Sequence, residues 1–275
     1  MKRVTRRSSS RVRRGTTALA ASAVAAVIIV AALVSVREPS LDRTWDEDVA
    51  MLAGVELLPD GAVRLSDVRD WRYTRDSVVS KRYFDARYDP SDVTGLWLYE
   101  QELGLGGLVA HTFLVFEFGA SSIPESERWL GLSVETRREA GEKYSIVRGM
   151  LREFEVTHVW ATERDLVTRR VEHLDYPLTR YRVDVPAEYL ARIFLQFLRE
   201  TAALATTPRW YHTVRSNCTS SLIEYVNQAE PGAIPRHHSS VLTGLADDHL
   251  KRLGYLDPDY AVPITREYLA VHSVR

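Results

Sequence analysis

The sequence has a single cysteine, Cys218, among its 275 residues. One cysteine cannot form an intramolecular disulfide, and it cannot supply the paired-cysteine spacing of a structural zinc site. The sequence also lacks the His-Glu-x-x-His, Gly-x-Ser-x-Gly and P-loop motifs. Zinc peptidases, serine hydrolases of the nucleophile-elbow type and P-loop NTPases therefore receive no support. We expect neither a metal nor a cofactor.

The sequence also lacks an excess of either sign of charge, because its formal net charge is only -1. The first 15 residues carry seven basic residues and no acidic one. The remainder has 29 basic against 37 acidic residues, which leaves a mildly acidic body. Such a body gives no indication of nucleic-acid binding, so we expect no nucleic-acid partner.

Long uncharged runs are absent except at residues 16–36, which are mostly Ala, Val, Ile and Leu. About 20 apolar residues in a helix cross a hydrocarbon core of ~30 Å. We therefore predict a transmembrane signal anchor over 16–36 in the bacterial cytoplasmic membrane. The basic tail over 1–15 would stay cytoplasmic and the rest would be extracytoplasmic. A cleaved signal peptide is the alternative, although its apolar core is typically only about 7–15 residues long.

After this segment the composition predicts a tether over 37–61 and one domain over 62–230. Residues 231–275 are predicted to form a C-terminal extension that packs on the same domain. Alternating apolar and polar residues predict strands, and Pro186 precedes an apolar stripe that is typical of an amphipathic helix. The predicted fold is α+β with an antiparallel sheet, whose clearest strands are 62–73, 93–100, 109–118 and 129–135.

Cys218 lies where a loop is predicted to become a helix. Ser216 and Asn217 are good N-cap residues, and Leu222 and Tyr225 fall on one apolar helix face. In the first turn of a helix, free amides and the macrodipole favour a thiolate over a thiol. The alternative is a small, buried and inert side chain, which is common for cysteine. Outside the cytoplasm structural cysteines usually pair as disulfides, so an unpaired one weakens this alternative somewhat and leaves both open.

A thiol nucleophile needs a general base that is oriented by a third polar group. His111 opens a predicted strand, and Glu135 lies on the predicted neighbouring strand. His212 is the other candidate base because it precedes Cys218 by only six residues. The spacing alone leaves both histidines open.

Five pieces of the sequence resemble the Lnb-type N-terminal periplasmic domain family. The resemblance spans roughly residues 62–228, and its matching pieces are Val68–Trp71, the strand with His111 and Phe113–Phe118, Leu132–Arg138, Glu163–Asp165 and Arg209–Thr219. That family is related to circularly permuted papain-like (NlpC-like) enzymes, in which the histidine precedes the cysteine. The Asn-Cys pair is also similar to that of lecithin:retinol acyltransferase-like enzymes.

The resemblance implies a catalytic cysteine enzyme and assigns roles by position. Cys218 would be the nucleophile, His111 its base and Glu135 the third polar residue. Asn217, His212 and Arg137 would support the site. A lipoprotein N-acyltransferase belongs to the family, so the resemblance implies an acyltransferase acting on a phospholipid or lipoprotein. A cysteine peptidase or amidase of the cell envelope, and a non-catalytic binding domain, are the alternatives.

Overall fold

The computed structural model describes residues 21–25, 28–104, 106–119, 123–272 and 274. The chain divides into two compact units, Met1–Pro39 and Ser40–Arg275. In the first unit, residues 21–25 and 28–35 are helical. The predicted basic tail over 1–15 lies outside the described residues.

The prediction of a transmembrane helix over 16–36 is wrong for the described part of that range. No helix among the described residues is long and apolar enough to cross a bilayer. Residues 16–20, 26 and 27 of the predicted span lie outside the described part of the chain.

The second unit is built on one nine-stranded sheet. The strand order is β1-β2-β7-β6-β5-β4-β8-β9, and β3 pairs with β2. The strands are β1 Gly54–Leu57, β2 Val63–Tyr73, β3 Val78–Tyr88, β4 Val93–Gly104, β5 Val109–Phe118, β6 Trp129–Arg137, β7 Glu155–Thr162, β8 Leu178–Arg182 and β9 Val262–Ile264.

Seven α-helices accompany the sheet within the described part of this unit. They are α1 Glu47–Ala50, α2 Ile146–Met150, α3 Glu163–Thr168, α4 Ala187–Leu204, α5 Cys218–Ala229, α6 Ala246–Arg252 and α7 Arg266–Val271. A π-helical turn, Arg169–His173, continues α3. Short 3-10 turns lie at Pro90–Asp92, Glu125–Glu127, His238–Ser240, Thr243–Leu245 and Pro258–Tyr260.

The sheet is mixed, so the prediction of an antiparallel sheet is wrong at one pairing. Strands β4 to β7 follow one another as strands in the chain and pair antiparallel. In contrast, β2 and β7 run parallel, with Arg69 opposite Ala161. These two strands are far apart in sequence, and an alternating pattern carries no information on strand direction. The α+β architecture itself is confirmed.

Most predicted elements are present, with altered ends. Strand β5 has the predicted bounds, and α4 starts directly after Pro186, as predicted. Alternating residues over 173–186 also predict a strand, of which the structure forms Leu178–Arg182 as β8. The segment predicted as a tether, 37–61, contributes α1 and β1.

Two apolar layers cover the two faces of the sheet. On one face, Phe116 and Trp160 pack against Phe194 and Phe197 of α4, and α5 lies beside α4 in the same layer. On the other face, Phe113 and its neighbours pack with α3. Consecutive β5 residues point to opposite faces, so β5 contributes to both layers. Cys218, the first residue of α5, belongs to the first layer and lies beside the beginning of β5.

Candidate active site

Helix α5 begins at Cys218 because Asn217 caps it. The Asn217 side chain accepts from the Ser220 N–H at 2.8 Å, and the Ser220 hydroxyl accepts from the Asn217 N–H at 2.9 Å. This reciprocal capping box satisfies two amides that the helix cannot. The Asn217 side-chain amide also donates to the carbonyls of Thr213 and Ser240. Asn217 therefore joins the loop that precedes Cys218 to the segment that contains Ser240.

The Cys218 thiol lies at a fork in the sheet, the point where β5 separates from β6. The pairing of β5 with β6 begins at Phe113, opposite Ser133, whereas His111 and Thr112 pair with β4. The backbone N–H of Thr112 lies close enough to the Cys218 sulfur to lower the pKa of the thiol. Cys218 Sγ also lies 4.0 Å from the Ala110 carbonyl oxygen, and the residue is only 5% exposed. The sulfur thus lies against β5, where β5 has separated from β6.

His111 lies between the thiol and a carboxylate. Its positive charge lowers the pKa of the Cys218 thiol, and its Nε2 atom lies 3.3 Å from Glu135 Oε1. The Ser133 hydroxyl lies 2.8 Å from the same Nε2 and donates to Glu135 at 2.7 Å. Because Nε2 faces Glu135, Nδ1 is the ring nitrogen left for the thiol. The three side chains form the series nucleophile, base and orienting group.

Arg170 completes the cluster, and the sequence analysis missed it. Its Nη2 atom lies 2.8 Å from Glu135 Oε1 and 3.0 Å from both Ser133 Oγ and His111 Nε2. The guanidinium lies 4.5 Å from the Phe113 ring centroid, and the side chain is 2% exposed. Arg170 belongs to the π-helical turn, a feature that is frequent at functional sites. Only the three-dimensional structure reveals it, because Arg170 follows Arg169 in a stretch that resembles a solvated surface.

The charges of this cluster support one another. Burial lowers the pKa of His111, but Glu135 and the Cys218 thiolate outweigh it and raise that pKa to about 9. Burial raises the pKa of Cys218, but the positive charge and hydrogen bond of His111 lower it to about 7. Despite burial, His111 and Arg170 hold the pKa of Glu135 well below its usual range. The arrangement favours a thiolate beside an imidazolium.

One contact in the cluster opposes this charge state. Arg170 Nη2 and a protonated His111 Nε2 are both donors, and they lie 3.0 Å apart. Glu135 Oε1 and Ser133 Oγ each lie within reach of both donors. We therefore attribute the close approach to these shared acceptors. Since arginine does not lose its proton, the carboxylate of Glu135 must balance two positive charges.

Two residues with predicted supporting roles make contacts of another kind. Arg137 donates to the Val49 carbonyl at 3.2 Å, and its guanidinium covers the Trp45 ring. It therefore fastens the α1 region to β6. His212 accepts from the backbone N–H groups of Val214 and Arg215 through Nδ1 and so stabilises the turn that precedes Cys218. The supporting roles of both residues at the cysteine site stay predictions.

A second residue that the sequence did not reveal is Tyr211. It is 7% exposed, and both its burial and the nearby Cys218 charge raise the pKa of its phenol well above the usual range. Its ring packs edge-on against Tyr144. Tyr211 thus forms part of the low-polarity surroundings of the thiol.

The Arg170 contacts predict a large stability effect. Replacing Arg170 with methionine removes the donor that bridges Glu135 and Ser133. It also removes one of the two positive charges that lie beside the Glu135 carboxylate. Breaking a buried ion pair costs about 3–5 kcal/mol, and we expect the lower end because Glu135 is 20% exposed. Denaturant unfolding measures the change. The matched control is Arg64→Met, whose pair with Glu56 is solvent-exposed and should contribute less than ~1 kcal/mol. Equal, small losses in both variants would contradict the assigned role of Arg170.

Comparison with known proteins agrees with the resemblance seen in the sequence. A family model described as the Lnb N-terminal periplasmic domain matches residues 80–246, which is more than half of the chain. No curated protein and no solved structure matches. The predicted relation to permuted papain-like enzymes finds no support among these comparisons. The matched residues include Cys218, His111, Glu135 and Arg170. The chain belongs to the Lnb N-terminal periplasmic domain family, whose description indicates an extracytoplasmic domain.

Proposed function

We propose that the protein is an extracytoplasmic thiol enzyme that forms an acyl-enzyme on Cys218. The observation that carries this proposal is the series Cys218–His111–Glu135, in which the thiol has a pKa of about 7. A nucleophile, a base in contact with it and an orienting carboxylate are the parts that covalent acyl transfer requires. A buried cysteine with a purely structural role has no need of a charged histidine and carboxylate.

The proposed reaction has two steps. The Cys218 thiolate attacks the carbonyl carbon of an ester or amide, and the developing oxyanion is stabilised by backbone amides at the start of α5. When the carbon–oxygen or carbon–nitrogen bond breaks, the His111 imidazolium gives its proton to the leaving alcohol or amine. His111, then neutral, takes a proton from the incoming amine or water, which attacks the thioester and releases the thiolate. Glu135 and Arg170 keep the imidazole oriented throughout.

We further propose that the acyl donor is a phospholipid or lipoprotein and that the second step is transfer to an amine. Family membership motivates this substrate class, and an apolar cavity beside the thiol supports it. A peptidase or amidase would use the same three residues. The two activities differ in the donor that acylates Cys218 and in the acceptor that releases the acyl group.

The decisive experiment is to trap the acyl group. The purified protein is incubated with a p-nitrophenyl ester or a phospholipid, quenched in acid and analysed by intact-mass and peptide mass spectrometry. We expect a mass increase equal to one acyl group on the peptide that contains Cys218, and its removal by hydroxylamine. Absence of this adduct with both donors, while the thiol stays free, would overturn the proposal.

The proposed charge state also predicts the pH dependence of the reaction. The pKa of Cys218 is lowered to about 7, so the reactive thiolate is lost as the pH falls below that value. The pKa of His111 is raised to about 9, so the imidazolium that protonates the leaving group is lost above that value. We expect a bell-shaped kcat/KM profile with limbs near 7 and 9 on a soluble ester. A single rising limb at the pKa of an ordinary thiol would contradict the thiolate–imidazolium pair.

A further inference from the structure

The Ser133 hydroxyl has a full set of hydrogen-bond partners inside the cluster. A hydroxyl group has one proton to donate and two lone pairs that accept. Its proton goes to Glu135 Oε1, at 2.7 Å. Its oxygen also lies 2.8 Å from His111 Nε2 and 3.0 Å from Arg170 Nη2, so the two lone pairs are left for these nitrogens. Ser133 is fully buried in β6, and these partners satisfy its hydroxyl in place of water.

Ser133 is the nearer of two acceptors for the Nε2–H group of His111. The heavy atoms of an N–H···O hydrogen bond in a protein lie about 2.7–3.2 Å apart. The distance from Nε2 to Ser133 Oγ, 2.8 Å, falls within this range, whereas the distance from Nε2 to Glu135 Oε1 is 3.3 Å. Glu135 Oε1 lies closer to Arg170 Nη2, at 2.8 Å. The carboxylate therefore acts on the imidazole chiefly through Ser133.

Arg170 favours the opposite protonation of the ring. Its Nη2 atom lies 3.0 Å from His111 Nε2 and always carries protons, so it can donate only to an Nε2 that has none. In a neutral imidazole, the hydrogen bond made by one nitrogen decides which nitrogen holds the proton. An Nε2 that accepts from Arg170 leaves the proton on Nδ1, the nitrogen left for the thiol. An Nε2–H group that donates to Ser133 leaves Nδ1 without a proton.

The second step of the proposed reaction needs an Nδ1 without a proton. We infer that Ser133 is a positioning residue that keeps the proton of neutral His111 on Nε2, against the competing donor Arg170. The inference rests on the proposed function. In that step Nδ1 takes a proton from the incoming amine or water, whose nitrogen or oxygen bonds to the thioester carbon as the carbon–sulfur bond breaks. Ser133 neither gains nor loses a proton, and its hydroxyl stays bonded to Glu135.

The tautomer of His111 can be measured directly by NMR of the protein labelled with ¹⁵N-histidine. Cys218→Ser has an uncharged side chain at the nucleophile position, as the acyl-enzyme does, and an added His111→Gln substitution identifies the signal. At a pH where the ring is neutral, we expect Nε2–H in Cys218→Ser and a change to Nδ1–H when Ser133→Ala is added. Finding Nδ1–H in Cys218→Ser itself would overturn the inference, and this result requires no change at Ser133.

The two chemical steps should respond differently to Ser133→Ala. The first step uses the imidazolium, in which both nitrogens carry protons, whereas the second needs Nδ1 without one. With p-nitrophenyl acetate, we expect the deacylation rate to fall by about a hundredfold or more, since the wrong histidine tautomer is costly in hydrolases. The acylation burst should fall by less, so that the acyl-enzyme accumulates. Ser133→Thr restores a hydroxyl and should recover most of the deacylation rate that Ser133→Ala loses.

Thr201→Val is the matched control, because Thr201 makes the same kind of contact away from the thiol. Its buried hydroxyl lies 2.9 Å from His158 Nδ1 and accepts from Trp160 Nε1 at 2.8 Å. We expect Thr201→Val to lower the melting temperature without changing the ratio of the deacylation rate to the acylation rate. An unchanged tautomer in Ser133→Ala, or an equal fall in both rates, would contradict the role of Ser133. If no ester acylates the wild-type protein, the proposed function itself is overturned, while the tautomer measurement still decides whether Ser133 holds the ring proton.

Discussion

Replacing Cys218 with serine is expected to lower kcat/KM for every acyl donor by about a thousandfold or more. A serine hydroxyl does not ionise near neutral pH, so the His111 imidazolium has no thiolate to stabilise. The neighbouring groups stay in place, because the substitution exchanges sulfur for oxygen in a side chain that is 5% exposed. Ester hydrolysis rates and intact-mass trapping measure the effect.

Thermal unfolding serves as the control for this variant. We expect the melting temperature of Cys218→Ser to lie close to that of the wild-type protein, because Asn217 and Ser220 still cap α5. If the melting temperature of Cys218→Ser were well below the wild-type value, the loss of activity would be due to misfolding. A stable Cys218→Ser protein that retains wild-type turnover would show that another residue is the nucleophile.

Replacing His111 with glutamine is expected to lower kcat/KM by about a hundredfold to ten-thousandfold, the usual contribution of a general acid–base group. Glutamine can still form hydrogen bonds near Ser133 and Glu135, but it carries no proton to exchange. The variant also changes the thiol directly. Burial raises the pKa of Cys218, and His111 supplies the leading opposing effect. Without His111, the rate of iodoacetamide alkylation should therefore rise only at a higher pH.

His212→Gln is the matched control, because His212 is the other histidine near Cys218 in sequence. Its ring accepts from the N–H groups of its own turn. We expect its removal to leave the pH dependence of alkylation unchanged. A shift in His212→Gln together with no shift in His111→Gln would reverse the assignment of the base.

Local features of the site could be predicted from the sequence. The Ser-Asn pair before Cys218 predicts a capped helix start, and the β-forming run after Val109 predicts the strand that carries His111. Both are local signals, because capping and side-chain alternation depend on residues close in the chain. The proximity of His111 and Glu135 to Cys218 was a hypothesis drawn from neighbouring strands and a family resemblance. The structure places their side chains together, while their catalytic roles stay a proposal.

The remaining features depend on long-range packing. Arg170 approaches Glu135 only because a π-helical turn on one face of the sheet directs its side chain towards β6. The parallel pairing of β2 with β7 and the cavity beside α5 likewise join segments that are distant in sequence. Apolar composition over 16–36 predicted a spanning helix, whereas no helix in the described part of the chain is long and apolar enough to cross a bilayer.

The fork between β5 and β6 has a consequence for how the domain can vary. The base and the backbone donor that contacts the sulfur are consecutive residues, His111 and Thr112, so one short piece of strand sets both contacts. The loop between β6 and α2 supplies neither contact. Insertions or deletions at its exposed turn, around residues 141–143, should therefore be tolerated without altering the reacting geometry. Related chains can differ there in length and surface while keeping the same chemistry.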